Sequence, residues 1–558
     1  MKNRFENKSL FRILSLVFFL SGISLTVLLS LRPMPIIYYV VEFVLCSLIW
    51  GYIAFKYRFI HKVVAYCTRT DLIFSILLSA AFVPTHYQTL DKLIHIFLER
   101  NIQVPVALTS YFTFFLSHKQ VILTLLLAFA SFSLCFIFMY VSGRLRTKII
   151  DFFKGLARYE KVFLLTGCAV FALVTVILFS QSNIYYQPER EDTGPVLWDI
   201  VYTFDSGSNI KSNCYANPAS PDNDLKQSLF GVFAMPFGLC AHLISFLIPS
   251  TIAYPVCINI IQIILLFITI LLLSRMLNAG KETTLFFLIF SVAAFPFLLF
   301  AFNMEQYIFA LFWTIVLVYN SFVTKKTNDV LSVAAAGSII TSVILIPLLY
   351  AINKEYKMII HKGWHICRMF FAIFICGGVI DVIYRMNVSI NDYVGFLSNH
   401  GYMDKLRQFT HFILSCLMAP HSRLMNYNEH IAYQLDMPDS FNLFGIIILV
   451  LAVWSGVLFR RRFIAKISLY WVGFSFALIA MIGWGTAENG TILYSLYIYW
   501  AFTILLSLLI DALFSKTKYL MYAVYGILIT MLSIYNIKGI LEIVNFGLTY
   551  YPRLNPQF

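Results

Sequence analysis

The residues best suited to chemistry lie in one polar segment between two apolar runs. Residues 181–227 carry seven acids and three bases, and a connection of this length in a compact protein is usually functional. Asp199 and Asp205 are six residues apart, and Asp205 precedes Ser-Gly at a predicted turn. A carboxylate in such a place can accept the proton of an attacking hydroxyl group. We therefore predict catalytic roles for Asp199 and Asp205, with turn or cap roles as the simpler alternative.

The end of the same segment places acids and a base next to an apolar run. Asp222 and Asp224 flank Asn223, and Lys226 follows two residues later. A lysine at a membrane surface can neutralise the phosphate of a leaving group. Two simpler roles remain open, because an aspartate often caps the next helix and an interfacial lysine often extends its amine towards water.

Two further groups lie at predicted ends of apolar runs. Glu305 and Tyr307 occur in Asn-Met-Glu-Gln-Tyr at positions 303–307. An acid at a helix N-terminus is stabilised by the helix dipole, so capping and a functional role are both open for Glu305. Glu488 lies in a turn that contains Asn-Gly, and Tyr494 follows it. We expect all four side chains to face the same compartment as residues 181–227.

The composition indicates that these residues are positioned by membrane helices. The chain has 558 residues, of which 60% are hydrophobic and 12% charged, and its mean hydropathy is +0.80. These values exclude a disordered chain, a collagen-like chain and a soluble multi-domain enzyme. The net charge is +14, but the bases lie in short loops between apolar runs, as cytoplasmic loop charges do. The lipid bilayer is therefore the predicted partner, and nucleic acid is not.

We predict an all-α polytopic membrane protein with about thirteen transmembrane helices, plus re-entrant or juxtamembrane helices. The basic residues place the N-terminus and loop 142–161 in the cytoplasm, and the long loop after the fifth helix outside. The apolar segments are 13–31, 36–55, 70–84, 119–141, 162–180, 228–248, 253–274, 283–300, 304–321, 330–352, 366–384, 442–459, 467–483, 493–513 and 518–537.

If every segment crossed the membrane, two of these segments would place basic loops on the external side. Segment 228–248 contains Met-Pro-Phe-Gly in its middle, which predicts a broken or re-entrant element. Segment 330–352 has lysines on both flanks, which predicts two half-helices broken near Pro347. We divide the chain into accessory helices at 1–160, a core with external loop 181–227 at 161–384, and an external interfacial segment followed by C-terminal helices at 385–558.

Four features of this pattern together resemble the GT-C glycosyltransferases, polytopic enzymes that use polyprenyl-phosphate-linked sugars. The first is the long external loop with Asp199 and Asp205. The second is NDLKQSLFGVFAMPFG, which is similar to the (R/K)xPLF-type signature of bacterial members. The third is NMEQY, which resembles a Glu-(Pro/Gln)-Tyr element of the family. The fourth is GWGTAENGTILY, which resembles an external turn of an uncharacterised bacterial branch. The resemblance covers about residues 161–540.

The resemblance implies an inverting sugar transfer on the outer face of a bacterial cytoplasmic membrane. The donor would be a polyprenyl-phosphate-linked sugar, and the acceptor a glycan, lipid or protein of the cell envelope. Asp205 would be the general base and Lys226 would bind the donor phosphate. A divalent cation (Mg²⁺, Mn²⁺ or Zn²⁺) assists some members, with Asp224 as the candidate ligand here.

This sequence departs from the family in three respects. Its two loop acids, Asp199 and Asp205, are not adjacent. No proline follows Lys226, and four helices precede residue 160. These departures leave the identity of the base and any dependence on a metal open.

Two other functions are also open. A lipid-linked polysaccharide polymerase or ligase would use external bases, for which Arg407, His411 and Arg423 are available. A transporter or flippase would carry charges inside its membrane helices and internal repeats, and the sequence has few such charges and no clear repeat. The absence of Walker A, GxGxxG, GxSxG and HExxH patterns argues against ATP hydrolysis and ordinary hydrolase chemistry.

Overall fold

The computed structural model describes most of the chain as helices. It covers residues 8–30, 35–99, 118–182, 204, 206–218, 220, 225–384, 397, 401–420, 423–425, 430–432, 441–484, 491–514 and 516–551. Every structural statement below concerns these residues.

The α-helices, numbered in chain order, are α1 Lys8–Leu29, α2 Ile36–Gly51, α3 Phe59–Tyr66, α4 Arg69–Glu99, α5 Lys119–Lys154, α6 Arg158–Gln181, α7 Ser206–Lys211, α8 Phe230–Ser245, α9 Ala253–Leu277, α10 Lys281–Ala293, α11 Phe295–Phe302, α12 Gln306–Thr324, α13 Asp329–Ser338, α14 Leu345–Ile352, α15 Ile359–Cys376, α16 Asp381–Tyr384, α17 Tyr402–Ser415, α18 Leu443–Leu458, α19 Phe463–Ser475, α20 Thr491–Phe514 and α21 Lys518–Tyr550.

Shorter elements complete the fold. Two π-helical segments, Tyr52–Lys56 and Phe476–Ile482, extend α2 and α19. Short 3-10 helices occur at Leu225–Gln227, Ile340–Ile344 and Tyr356–Met358. Strands β1 Arg423–Met425 and β2 His430–Ala432 pair antiparallel as a small hairpin.

The chain is a polytopic membrane protein. Ten helices in the described part are long and apolar enough to cross a bilayer, or eleven if the bent pair α10 and α11 counts as one span. The predicted helical class is confirmed, but the predicted number of thirteen is not reached there. Helices α8, α13 and α18 are apolar but have fewer than 18 residues, which is shorter than a usual span.

Three local predictions were wrong in part. Helix α5 continues through Lys154 and includes much of the predicted loop 142–161, because lysine and arginine are good helix formers outside the membrane. Helix α8 is continuous through Pro236, so the predicted break there is absent, and the re-entrant alternative stays a prediction. Segment 330–352 does contain two short helices, but the interruption is the 3-10 turn Ile340–Ile344, and Pro347 lies inside α14.

The chain forms two compact units that are each discontinuous in sequence. Unit 1 contains Met1–Ala157, Ser212–Ile248 and Cys367–Asn387, and unit 2 contains Arg158–Lys211, Pro249–Ile366 and Val388–Phe558. In unit 1, leucines and phenylalanines of α1, α4, α5 and α8 form one apolar core. In unit 2, α9 and α20 are the most buried spans. Burial of most of its surface explains why α9 is apolar on most of its circumference.

Candidate functional site

A break between two helices of unit 2 positions Glu305. Helix α11 ends at Phe302, and α12 begins at Gln306 after an extended segment. Backbone groups in such a segment lose their helical partners and need others inside a membrane protein. Side chains supply them, because Asn259 Nδ2 donates to the Ala301 carbonyl at 2.9 Å and Gln262 Nε2 donates to the Glu305 carbonyl at 2.9 Å. Neighbouring side chains therefore hold this non-helical segment in place.

A third contact to the break comes from the segment that follows the predicted catalytic acids. Ser206 Oγ, at the start of α7, donates to the Met304 carbonyl at 3.0 Å. The Phe204 ring packs edge-on against Phe300, with ring centroids 5.1 Å apart. Asp205 lies outside the described residues, but its two sequence neighbours are both buried against the helix break that carries Glu305.

The Glu305 side chain is almost fully buried, with 1% of its surface exposed. It occupies the N-cap position of α12 but makes no capping hydrogen bond. The capping role that the sequence left open is therefore wrong for its carboxylate. The N-terminus of α12 still favours the negative charge, since the helix dipole is positive at that end.

Aromatic rings surround this part of unit 2. Tyr307 packs against Tyr497 at a centroid distance of 5.2 Å and edge-on against Tyr494 at 6.4 Å. Trp484 Nε1 donates to the Tyr494 hydroxyl at 2.8 Å. The Tyr497 hydroxyl interacts electrostatically with Glu305, Tyr307 and Tyr494. We call Glu305, Gln306, Tyr307, Trp484, Tyr494 and Tyr497 the Glu305 site.

Two polar groups of the Glu305 site lack a hydrogen-bond partner among the described residues. Gln306 Nε2 donates to Asn209 Oδ1 at 3.0 Å, whereas Gln306 Oε1 has no partner in the described part of the chain. The buried Tyr497 hydroxyl has none there either. Buried polar groups are normally satisfied, and an unpaired one calls for an explanation. A ligand that carries hydroxyl groups would provide partners for both.

The turn that carries Trp484 has its own supports. The π-helical segment Phe476–Ile482 ends at Gly483, whose φ of 83° lies in the left-handed region that glycine adopts readily. A Cβ at Gly483 would lie 2.8 Å from Lys405 Cε, so the flexible Lys405 side chain would have to shift. Leu397 forms a single antiparallel bridge with Trp484. Segments of π-helix occur frequently at functional sites.

The structure brings together some of the predicted site residues. Glu305, Tyr307 and Tyr494 lie in one cluster in unit 2. Lys226 lies in the 3-10 turn Leu225–Gln227 of unit 1 and is half-buried. The remaining predicted residues, Asp199, Asp205, Asp222, Asp224 and Glu488, lie outside the described residues.

No family model, curated protein or solved structure matches the chain. The assignment of a function therefore depends on the residues of the chain themselves.

Sequence reasoning missed several polar residues that shape the site. Asn259 and Gln262 lie three residues apart in the apolar run of α9, which places them on one helical face. Polar residues inside an apolar span are costly and usually have a specific role, and this signal was present in the sequence. Asn209, Gln306 and Tyr497 gave no comparable signal, because their roles depend on contacts between distant segments.

Metal binding is not apparent in the described part of the chain. No group of three or more His, Cys, Asp or Glu side chains within it is arranged to hold a metal ion. Asp224, the predicted ligand, lies outside the residues that the structure describes.

Proposed function

We propose that the chain is a membrane glycosyltransferase that moves a sugar from a polyprenyl-phosphate carrier to a cell-envelope acceptor. The observation that carries the proposal is the Glu305 carboxylate, which is buried among tyrosines yet does not cap its helix. Ligand sites are typically lined by aromatic side chains with a few well-placed polar groups. Gln306 Oε1 and the Tyr497 hydroxyl, which have no hydrogen-bond partner among the described residues, fit a ligand that is rich in hydroxyl groups.

The location at the ends of two spans supports a substrate that is part lipid and part polar. The candidate spans of α12 and α20 begin at Gln306 and Ile492, and Tyr307 and Tyr494 near these starts are in ring contact. The two starts therefore share one end of unit 2. A lipid-linked sugar would place its chain among the apolar helices and its sugar at this end. We assign this end to the external face of a bacterial inner membrane.

The reaction follows from the carboxylates that this region offers. The acceptor hydroxyl oxygen forms a bond to the anomeric carbon while the bond from that carbon to the phosphate oxygen breaks. The phosphate leaves with the electron pair, and a carboxylate takes the hydroxyl proton. Asp205 is the proposed base, with Asp199 as its alternative, because the neighbours of Asp205 pack against the helix break. Glu305 positions the acceptor through its negative charge.

The donor phosphate needs a cation, and Lys226 remains the proposed one. A half-buried amine can stabilise the negative charge that develops on a leaving phosphate. Asp222 and Asp224 precede it in sequence, and Asp224 is the proposed ligand for any divalent cation. No step of the reaction described here passes through a metal.

The test is transfer of radiolabelled sugar from a polyprenyl-phosphate hexose to membrane acceptors by the full chain in nanodiscs. Asp205→Asn and Glu305→Gln are compared with wild type. Loss of a general base lowers the rate by about 10²–10⁴-fold, and we expect a loss of this size in Asp205→Asn. Glu305→Gln should raise the acceptor KM at least as much as it lowers kcat.

The matched control is Glu542→Gln, which makes the same change at an exposed residue of α21 and should leave transfer intact. Thermal unfolding of each variant shows whether the fold is retained. Undiminished transfer in both Asp205→Asn and Glu305→Gln would remove this site from the reaction. Wild type that binds no carrier, but elongates lipid-linked oligosaccharide or moves it across the bilayer, would instead support a polymerase or a flippase.

A further inference from the structure

A second group of charged and aromatic residues lies at one end of unit 1. It comprises Lys56–Asp71, which spans the end of α2, α3 and the start of α4, and Tyr140–Lys154 of α5. We call it the basic end. These two ranges contain eight lysines and arginines against Asp71 and Asp151. The Asp71 carboxylate forms an ion pair with Arg146 and accepts hydrogen bonds from the Thr68 and Ser142 hydroxyls.

Two tyrosine hydroxyls meet within the basic end. The hydroxyls of Tyr57 and Tyr140 are 3.3 Å apart. The Lys62 amine lies 3.0 Å from the centre of the Tyr57 ring, and the Arg144 guanidinium lies 4.7 Å from that of Tyr140. Lys62 and Arg144 make no ion pair with a carboxylate of the described residues. Two cations therefore flank two hydroxyl donors without a negative partner.

Close packing holds this group together. Gly143 of α5 lies against the end of α3, since a Cβ there would be 2.9 Å from the Tyr66 carbonyl oxygen. This approach brings the Tyr66 ring to 5.2 Å from the Arg144 guanidinium. The site is thus fixed by the backbones of two helices and does not depend only on flexible side chains.

The electrostatic environment at Tyr57 favours a negative charge. The hydrogen bond with Tyr140, together with Lys62 and Arg144, lowers the pKa of the Tyr57 hydroxyl. Tyr57 immediately follows the candidate span Ile37–Lys56. In α5 the apolar sequence likewise ends at Val141, three residues before Arg144. The apolar stretches of α2 and α5 thus both end near Tyr57 and Arg144, at the depth where phospholipid headgroups lie.

We propose that Tyr57, Lys62, Tyr140 and Arg144 bind the phosphate of an anionic phospholipid headgroup. The cations supply charge-assisted hydrogen bonds to the phosphate oxygens, and the hydroxyls donate to the same oxygens. The acyl chains of the lipid lie along the exposed apolar face of α2, on which Val44 and Leu48 are 50% and 67% exposed. The site is separate from the Glu305 site, and the proposal does not depend on sugar transfer.

The test measures lipid binding to the purified full chain by native mass spectrometry, with phosphatidylglycerol and phosphatidylcholine as probes. Wild type should bind phosphatidylglycerol preferentially. The double variant Lys62→Gln/Arg144→Gln should lose at least about tenfold of that affinity, because the loss of even one charge-assisted hydrogen bond to the phosphate corresponds to about tenfold. Tyr57→Phe/Tyr140→Phe removes the hydroxyls without changing the charge and should lose part of the preference.

The matched control is Lys148→Gln/Lys154→Gln, which removes two exposed bases from the same end of α5. It should change the affinity less than twofold. An equal loss in this control would show that only diffuse charge attracts the lipid and would overturn the proposal. Equal binding of phosphatidylcholine, or full competition by inorganic phosphate, would also overturn it. If Lys62→Gln/Arg144→Gln does not fold, the tyrosine variant decides the question alone.

Discussion

The Glu305 site and the basic end combine charges with tyrosines in opposite ways. At the Glu305 site one carboxylate is buried, the rings pack on one another, and side chains satisfy the backbone. At the basic end the cations lie over ring faces and remain accessible to solvent. A buried charge is costly and must be specifically compensated, whereas an exposed charge is screened and inexpensive. The Glu305 site should therefore respond strongly to single changes, and the basic end to changes in its surroundings.

The largest loss of stability is expected from Asn259→Leu/Gln262→Leu. These changes leave the carbonyls of Ala301 and Glu305 without their side-chain donors, at a cost of about 3 kcal/mol for the pair. Thermal unfolding in nanodiscs measures it. The matched control is Thr269→Val on the same helix, whose hydroxyl bonds only within α9 and whose loss should cost less than about 1 kcal/mol. Equal costs would show that the break needs no side-chain support.

Asp71→Asn tests the one buried charge of the basic end. It removes the partner of Arg146, and we expect a loss of about 2 kcal/mol, less than for a fully buried pair because Arg146 is 30% exposed. Asp151→Asn, an exposed acid of α5, is the control and should change little. If Asp71→Asn costs no more stability than Asp151→Asn, the Asp71 carboxylate contributes no more than an exposed surface charge.

The pH dependence of the same variant has a defined sign. Burial alone would raise the pKa of Asp71, but hydrogen bonds from Thr68 and Ser142 and the Arg146 charge together lower it below 3.8. A carboxyl group whose pKa is lowered in the folded state stabilises the fold at pH values above its unfolded-state pKa. This stabilisation is lost as the pH falls through the folded-state pKa. The difference in Tm between wild type and Asp71→Asn should stay constant from pH 7 to pH 5 and shrink only at more acidic pH.

Tyr494→Phe tests whether the Tyr494 hydroxyl contributes to sugar transfer as well as to the stability of the Glu305 site. The change removes the hydroxyl that accepts from Trp484 and should cost about 1 kcal/mol of stability. Sugar transfer should fall more than this loss explains, with a rise in KM for the donor or the acceptor. Tyr525→Phe, which removes another buried tyrosine hydroxyl that donates to the Ser507 carbonyl, provides the comparison. If the fall in sugar transfer is fully explained by the loss of stability in both variants, Tyr494 contributes to packing and not to transfer.

The smallest effect on the isolated fold is expected from Lys62→Gln. In phosphatidylcholine nanodiscs its stability should lie within about 0.5 kcal/mol of wild type. In phosphatidylglycerol nanodiscs wild type should gain stability and the variant should gain less, because a ligand of the folded state raises its Tm. Lys148→Gln should gain as wild type does. The same gain in Lys62→Gln would contradict a specific lipid site.

Several features of the fold were predictable because they depend on local sequence. The apolar runs 253–274 and 304–321 became α9 Ala253–Leu277 and α12 Gln306–Thr324, since the length and hydropathy of one segment are enough to predict a span. Pro236 did not break α8, because a proline inside a membrane protein can be accommodated when neighbouring groups satisfy the freed backbone.

The candidate site was predictable only in part. The sequence placed Glu305 and Tyr307 at the start of a helix, which is correct, but could not decide between a cap and a buried carboxylate. Burial of the carboxylate depends on segments far away in sequence that pack around it, as the contacts of Asn209 with Gln306 and of Gln262 with the Glu305 carbonyl show. Hydropathy and short motifs contain no information on such pairs. The contribution of Tyr497 could not be predicted either, because an aromatic residue in an apolar run usually packs in the core.

The hydrogen bond from Asn259 to Ala301 also bears on how the chain is made. Asn259 is synthesised 42 residues before Ala301, and chains fold progressively from the N-terminal side as the ribosome elongates them. When the interrupted stretch between α11 and α12 enters the bilayer, α9 is already there to receive its unpaired carbonyl. On this order of synthesis, the Asn259 donor is available to the Ala301 carbonyl as soon as the break between α11 and α12 forms.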